Sequence, residues 1–329
     1  MRKQMHGVLS LTVGLLMALT QSPVFSASEI AYPTKPIRLV VTFAPGGGTD
    51  IFARAIAQKL NEKWGQPVIV DNRAGGSGNI GADMVAKAPA DGYTVLLTTN
   101  ATIVINPLLA KLQYDPVKDF SPVTQLATLP FVLLVHPSVP ARTVPELIAL
   151  AKSKPGTLNF GSSGSGGGAH LSGETMKTLA GLDMTHVPYK GGGPALIALL
   201  GNEVQFMFLS ILTATPLIET NKLRVLAVTS SKRSPALPNV PTMAETPGLA
   251  GFESDLWYGI LMPRKTSPSI VDQLYQECKR ILNAPEFKSR FESTGTQMIG
   301  NSPAEFAKVI NSDLAKWATV IKASGAKMD

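Results

Sequence analysis

Two glycine-rich turns constrain this chain more than any other feature. Ile37-Arg38-Leu39-Val40-Val41-Thr42 reads as a strand; Phe43-Ala44-Pro45-Gly46-Gly47-Gly48 turns, and Thr49-Asp50 opens a helical pattern with Phe52, Ile56 and Leu60 on one face. Successive glycines let the backbone aim its N–H groups inward and admit a ligand where a Cβ would stand. The helix that follows directs its positive end at the same spot, so the turn is a ready anion site. The device recurs where Thr157-Leu158-Asn159-Phe160 leads through Gly161-Ser162-Ser163-Gly164-Ser165-Gly166-Gly167-Gly168 into a helix from Ala169. Two such turns imply two lobes facing one ligand.

Between and after the turns, strands alternate with helices. Gln66 to Val70 is a second strand, Ile80 to Lys87 a helix and Tyr93 to Thr98 a third strand. Phe120 to Ala127 and Phe131 to Val135 are two adjacent β-rich runs. Helices at Val144 to Lys152, from Ala169, Ala195 to Leu200 and Thr213 to Thr220 then interleave with strands at Leu158 to Phe160, Thr185 to Val187, Val204 to Phe208 and Leu223 to Thr229. This is the signature of βαβ units and a mostly parallel sheet, whose ligands sit at the carboxyl ends of the strands. Ser234 to Gly251, rich in proline and glycine, is an irregular connection, and Phe252 to Met262 returns as a strand. Helices at Pro268 to Leu282, Pro285 to Ser293 and Pro303 to Ala323 open with proline and are expected to cover the first lobe.

The amino terminus stands apart. Arg2 and Lys3 precede an apolar run from Gly7 to Leu19 and small residues from Ser22 to Ser28, the pattern of a secretory signal peptide cleaved after Ser26 or Ser28. Its apolar run is shorter than the ~20 residues of a membrane span. Cys278 is the only cysteine, so neither a disulfide nor a lipid-anchored amino-terminal cysteine is available, which points to an unanchored periplasmic protein. The net charge of +7 includes Arg2 and Lys3, leaving +5 on the mature chain. That field favours anionic ligands, although a merely basic soluble surface has the same charge. The scattered basic residues, without interleaved aromatics, argue against nucleic acid.

The order Phe43-Ala44-Pro45-Gly46-Gly47-Gly48-Thr49-Asp50, Val70-Asp71-Asn72-Arg73-Ala74-Gly75-Gly76-Ser77-Gly78-Asn79-Ile80-Gly81, Asp91-Gly92-Tyr93-Thr94, Gly161-Ser162-Ser163-Gly164, His170-Leu171, Val187-Pro188-Tyr189-Lys190-Gly191, Leu237-Pro238-Asn239-Val240-Pro241-Thr242, Trp257-Tyr258-Gly259 and Lys316-Trp317 resembles the Bug family. That family comprises periplasmic solute-binding components of tripartite tricarboxylate transporters. Ala74 stands where the family commonly has proline, and Gln205 where it commonly has aspartate. The resemblance spans essentially the whole mature chain and implies an α/β fold: a two-lobed periplasmic binding protein, type II-like, each lobe a mostly parallel sheet flanked by helices. Lobe 1 is expected over 29–128 and 252–329, and lobe 2 over 129–251. It further implies that the first loop, Ala44 to Asp50, and the second, Gly161 to Gly168, hold one carboxylate mostly through backbone N–H groups and bridging waters, with Ala44, Pro45, Gly46, Gly47, Gly48, Asp50, Ser162, Ser163, Gly164 and Gly166 as the site residues. A membrane transporter would be the partner, and the protein a monomer.

Phe43 leads into the first loop. Thr99, Asn100, Phe208, Leu209 and Trp257 are candidate cleft walls, with a core role open for each. His170 could orient a ligand or cap its helix. Asp50 and Glu174 could do no more than cap theirs. Gly76-Ser77-Gly78-Asn79-Ile80-Gly81 matches G-x-G-x-x-G, but Asp71-Asn72-Arg73 separate it from the strand, so no cofactor is expected. His136, His170 and His186 lack metal-ligand spacing, and the serines of the second loop do not form G-x-S-x-G, so no catalysis is expected. Two alternatives remain: a periplasmic sensor for a signalling receptor, and an exported enzyme using a base near those serines.

Overall fold

The computed structural model describes residues 32–324; the leader expected over residues 1–28 lies outside them. In chain order the elements are β1 (Ile37–Val41), α1 (Gly48–Trp64), β2 (Val68–Asn72), α2 (Asn79–Ala86) and β3 (Thr94–Thr99), then a π-type turn at Ala101–Ile105 and α3 (Asn106–Leu109). Next come β4 (Phe120–Val135), α4 (Val144–Ser153), β5 (Asn159–Ser162), α5 (Gly168–Ala180), β6 (Thr185–Pro188), α6 (Gly192–Leu200), β7 (Phe206–Ser210), α7 (Ile211–Glu219) and β8 (Arg224–Val228). After a connection containing a short turn of helix come β9 (Asp255–Pro263), α8 (Pro268–Asn283), α9 (Pro285–Glu292), β10 (Gln297–Met298) and α10 (Pro303–Ser324).

The strands follow the order β2-β1-β3-β9-β4-β7-β5-β6, with β8 and β10 also paired to β4. Within β2-β1-β3 and within β7-β5-β6 the pairs are parallel, as βαβ crossovers require. β9 and β4 run antiparallel between these two groups. The fold is thus α/β, with both groups mostly parallel and flanked by helices.

The two β-rich runs expected around residues 120–135 are one strand of 16 residues. Its first part, Phe120 to Pro130, pairs with β9; from Phe131 onward it pairs with β7 and β8. Pro122 and Pro130 lack an N–H and read as breaks in the sequence, but register shifts at Pro122/Thr124 and Gln125/Ala127 accommodate the irregularity. Pro130 falls where the partner changes.

Apolar burial fixes where the loops lie. Phe52, Ile56 and Leu60 of α1 are fully or almost fully buried, each contributing about 1.5–3 kcal/mol. Phe52 sits 5.3 Å from the Tyr258 ring and 4.7 Å from Phe291, which pins the start of α1 against β9 and α9. Of the carboxy-terminal helices, α10 packs on β9: Phe306 meets Trp257 edge-on at 5.2 Å, and the Trp257 indole N–H donates to Asp313 at 2.8 Å.

Candidate binding site

Four strand-to-helix turns converge on one cavity of about 50 Å³. Gly48 opens α1, Gly168 opens α5 and Gly192 opens α6, while Ser210 is the N-cap of α7; all four line it. The N-caps are Gly47, Gly167, Gly191 and Ser210, and none makes a side-chain cap hydrogen bond. By contrast α4, remote from the cavity, is capped by the Thr143 hydroxyl. Each uncapped terminus offers unsatisfied N–H groups and roughly half a positive charge. Ser210 Oγ bonds Thr213 Oγ1 at 2.9 Å instead of capping its helix.

The remaining walls are Phe43, Thr49, Thr99, Gly47, Ala101, Phe131, Ser163, Ala169, Phe208, Leu209, Leu256 and Tyr258. Among the described residues no Lys, Arg, His, Asp or Glu lines the cavity. Two of its hydroxyls, Thr99 Oγ1 and Tyr258 Oη, are buried without a hydrogen-bond partner. Burial pushes the Tyr258 pKa up, so the group is a neutral donor; Ser210 and Thr49 lie near enough to oppose that shift, yet no partner meets the hydroxyl at hydrogen-bonding geometry. A buried hydroxyl left unsatisfied costs about 1–3 kcal/mol.

The loops are held from behind. Asp50 is buried; its carboxylate accepts from Gly46 N at 3.1 Å, from Asn72 Nδ2 at 3.0 Å and from Arg54 Nε at 3.0 Å. Burial alone would raise its pKa, but those bonds outweigh it and hold the carboxyl below the usual range. In the second loop His170 Nδ1 accepts from Gly166 N at 2.9 Å. A backbone N–H can only donate, so that nitrogen carries the lone pair. The His170 ring stacks on His186 with centroids 3.9 Å apart, and His186 Nε2 lies 2.7 Å from Ser162 Oγ. Ser162 Oγ also bonds both the N–H and the carbonyl of Gly164 and is fully buried away from the cavity, so this Ser–His pair braces the loop.

Of the residues singled out in the sequence, Phe43, Gly47, Gly48, Thr99, Ser163, Phe208 and Leu209 line the cavity. Phe43, Ser163 and Gly164 also line an adjoining cavity of about 250 Å³, with Gly75 to Gly78 and Pro188 to Lys190. Gly46, Asp50, Ser162, Gly166 and His170 belong to the bracing just described. Ala44 N donates to Lys190 O at 3.0 Å, and Pro45 places its carbonyl against Gly193. Asn100 Nδ2 donates to Asp255 O at 2.8 Å, while Trp257 is in the core. Arg73 ties back to Asp71 at 3.0 Å, and Gln205 accepts from Asn159 N at 2.9 Å, away from the cavity. Sequence reasoning gave no role to Ala101, Phe131, Ala169, Gly192, Ser210, Leu256 or Tyr258. A third glycine run, Gly191 to Gly193 ahead of Pro194, was the available signal for Gly192.

Neutral donors at helix starts, held by a rigid frame around a small cavity, are the equipment of a protein that binds a solute. Residues 52–326 match the tripartite tricarboxylate transporter family receptor, TctC, and the chain belongs to that family of periplasmic solute-binding proteins. Protein BugT of Bordetella pertussis is 35% identical over 318 residues, covering 96% of this chain and 97% of BugT. Among solved structures, R. palustris Rpa4515 with adipate superposes with a TM-score of 0.87 at 38% identity, covering 90% of this chain and 99% of that one. MatC of Rhodopseudomonas palustris with bound malate gives 0.84 at 32% identity, covering 88% and 100%. Among the described residues no helix is long and apolar enough to cross a membrane, and no group of three or more His, Cys, Asp or Glu could hold a metal ion.

Proposed function

We propose that this protein is an extracytoplasmic binding protein that captures one small carboxylate between two lobes and delivers it to a membrane transporter of the tripartite tricarboxylate type, without chemistry of its own. The observation that carries the reading is the convergence of four uncapped helix N-termini with the unpartnered hydroxyls of Thr99 and Tyr258, on a cavity without ionisable side chains other than the neutral Tyr258. An anion satisfies all of these groups together. Three or four charge-assisted hydrogen bonds, each worth about 1.5–3 kcal/mol, are sufficient for micromolar binding once the cost of association is subtracted. The adipate and malate held by the two R. palustris relatives support a carboxylate.

In this reading residues 29–128 and 252–329 form lobe 1 and residues 129–251 lobe 2. The change of partner along β4 between Pro130 and Phe131 supports that division. Carboxylate capture is assigned to the loops 44–50 and 161–168, with Thr99 and Phe208 as walls, and export and cleavage of the leader put the protein, a monomer, in the periplasm. The test is a thermal-shift screen of the mature chain against small carboxylates and their amides. An acid at ~100 times its Kd adds about 2.7 kcal/mol and raises the melting temperature, while its amide does not. Equal shifts from acid and amide would sink the carboxylate assignment.

A further inference from the structure

The turn between β6 and α6 meets the first glycine loop backbone to backbone. Lys190 O accepts from Ala44 N at 3.0 Å. A Cβ on Gly193 would run into Pro45 O and come within 3.2 Å of Gly46 C. One on Gly191 would lie 2.9 Å from Ala44 N, and one on Gly47 would lie 3.4 Å from Gly192 N. On the other side of Phe43 and Ser163, Ser77 Oγ donates to Ser165 O, and a Cβ on Gly164 would lie 2.6 Å from Ser77 Oγ. Both contacts join loops of the β2-β1-β3 group to loops of the β7-β5-β6 group, and they border the two cavities.

Ser77 is set for this contact. Its φ of +53° is one that side-chain-bearing residues rarely adopt, and its carbonyl accepts from Asn106 Nδ2 at 2.9 Å and Thr102 Oγ1 at 3.2 Å. Those bonds keep its hydroxyl presented to the opposite loop.

We infer that these contacts form a closure latch: Ala44 with Lys190 and Gly193 on one side, Ser77 with Ser165 on the other, joining the lobes beside the solute and setting how slowly it leaves. The inference rests on the two-lobed reading above. Gly193 is its positioning residue. It is the second residue of α6, outside the positive-φ region, and does not line the main cavity. Alanine therefore suits its helix better than glycine does, and the fit against Pro45 is what the substitution removes.

The test uses the mature chain, with malate, adipate and benzoate as probes. For each acid that raises the wild-type melting temperature, Gly193→Ala is expected to speed dissociation at least tenfold in stopped flow and to weaken affinity in calorimetry. Its unliganded melting temperature should stay at or above wild type. Unchanged dissociation and affinity would overturn the latch, as would a fall in unliganded stability that accounts for the loss. Should no acid stabilise the wild type, the carboxylate reading fails, and the latch is judged by disulfide trapping of Gly47→Cys with Gly192→Cys. A Cβ at Gly47 lies 3.5 Å from Gly192 Cα, and one at Gly192 lies 3.7 Å from Gly47 Cα. Adding Gly193→Ala should slow the cross-link; an equal rate, or no cross-link in the parent pair, refutes the latch. Cys278, buried with its thiol pKa pushed up, does not compete.

Discussion

Thr99→Val separates a binding hydroxyl from a structural one, because the first role predicts weaker binding at unchanged unliganded stability and the second a loss of stability. Thr99 ends β3, is 2% exposed and lines the cavity, and its Oγ1 has no partner. Valine replaces that hydroxyl with a methyl of nearly the same size and keeps the β-branched shape a strand favours. With the lobes apart that hydroxyl is hydrated, so the unliganded variant should stay within about 0.5 kcal/mol of wild type. A hydrogen bond to a carboxylate is worth about 1.5–3 kcal/mol, so Kd should rise between ~10-fold and ~150-fold. Calorimetry with the best acid of the screen and denaturant unfolding of the unliganded protein measure both quantities. A variant with unchanged Kd would show that this hydroxyl does not contact the solute. A loss of more than ~1 kcal/mol in unliganded stability would show that the hydroxyl serves the fold, since that exceeds the usual effect of a tolerated substitution.

Two carboxylates have opposite pH signatures. Asp50 has a folded pKa below its unfolded value, so its contribution is complete above the unfolded pKa and is lost as pH falls through the folded one. Asp50→Asn should therefore cost about 1–3 kcal/mol in urea unfolding at pH 7, and the difference from wild type should shrink below about pH 4; a pH-independent difference would contradict the hydrogen-bonded carboxylate. Asp255 is the reverse case: burial, with Glu253 repulsion added and Lys316 opposing, pushes its pKa up to about 6. Relative to the unfolded chain its cost sets in above the unfolded pKa of about 4 and is complete above about 6, so Asp255→Asn should stabilise the protein at pH 7.5 by about 1–2 kcal/mol after allowance for its partial exposure, and have little effect near pH 4. A destabilised variant at pH 7.5 would show that the ionised group has a favourable partner.

What could be read in the sequence was whatever depends on neighbours along the chain. Ile37 to Leu60 declares strand, turn and helix through local pattern, and the prolines at 268, 285 and 303 mark helix starts that the structure places at those residues. Continuity of β4 was hidden, because prolines 122 and 130 are tolerated only through bulges and a change of partner that involve β9 and β7, far away in sequence. The cavity walls were hidden for the same reason. Tyr258 pairs with Thr99 across β3 and β9, so two hydroxyls from segments far apart in sequence become neighbours only through strand order. A tyrosine within the apolar run Leu256 to Met262 was the only local hint. Beginning α6 at Ala195 in place of Gly192 discarded the third glycine turn, since Gly192 and Gly193 are poor helix residues by propensity and are tolerated in a first turn.

In the proposed reading, the choice of neutral donors ties capture to closure. An arginine clamp would leave a buried charge unpaired whenever the lobes met around water, and would hold a captured anion strongly enough to hinder its release. Helix termini and hydroxyls are hydrated when the lobes are apart, so the open protein has no charge to neutralise. Bringing the lobes together strips water from Thr99, Tyr258 and the four uncapped termini, and without an acceptor each stripped group opposes closure by up to a few kcal/mol. The latch at Ala44–Lys190 and Ser77–Ser165 favours closure by the modest amount of two hydrogen bonds and a glycine contact. With no anion the stripped donors outweigh the latch; with one they become favourable and add to it. The difference between those two sums biases the lobes toward the closed form, because a ligand shifts a conformational equilibrium only by its differential affinity for the two states. On this account Thr99→Val and Gly193→Ala weaken binding for different reasons: the first eases closure and loses a ligand contact, and the second keeps the contact and hinders closure.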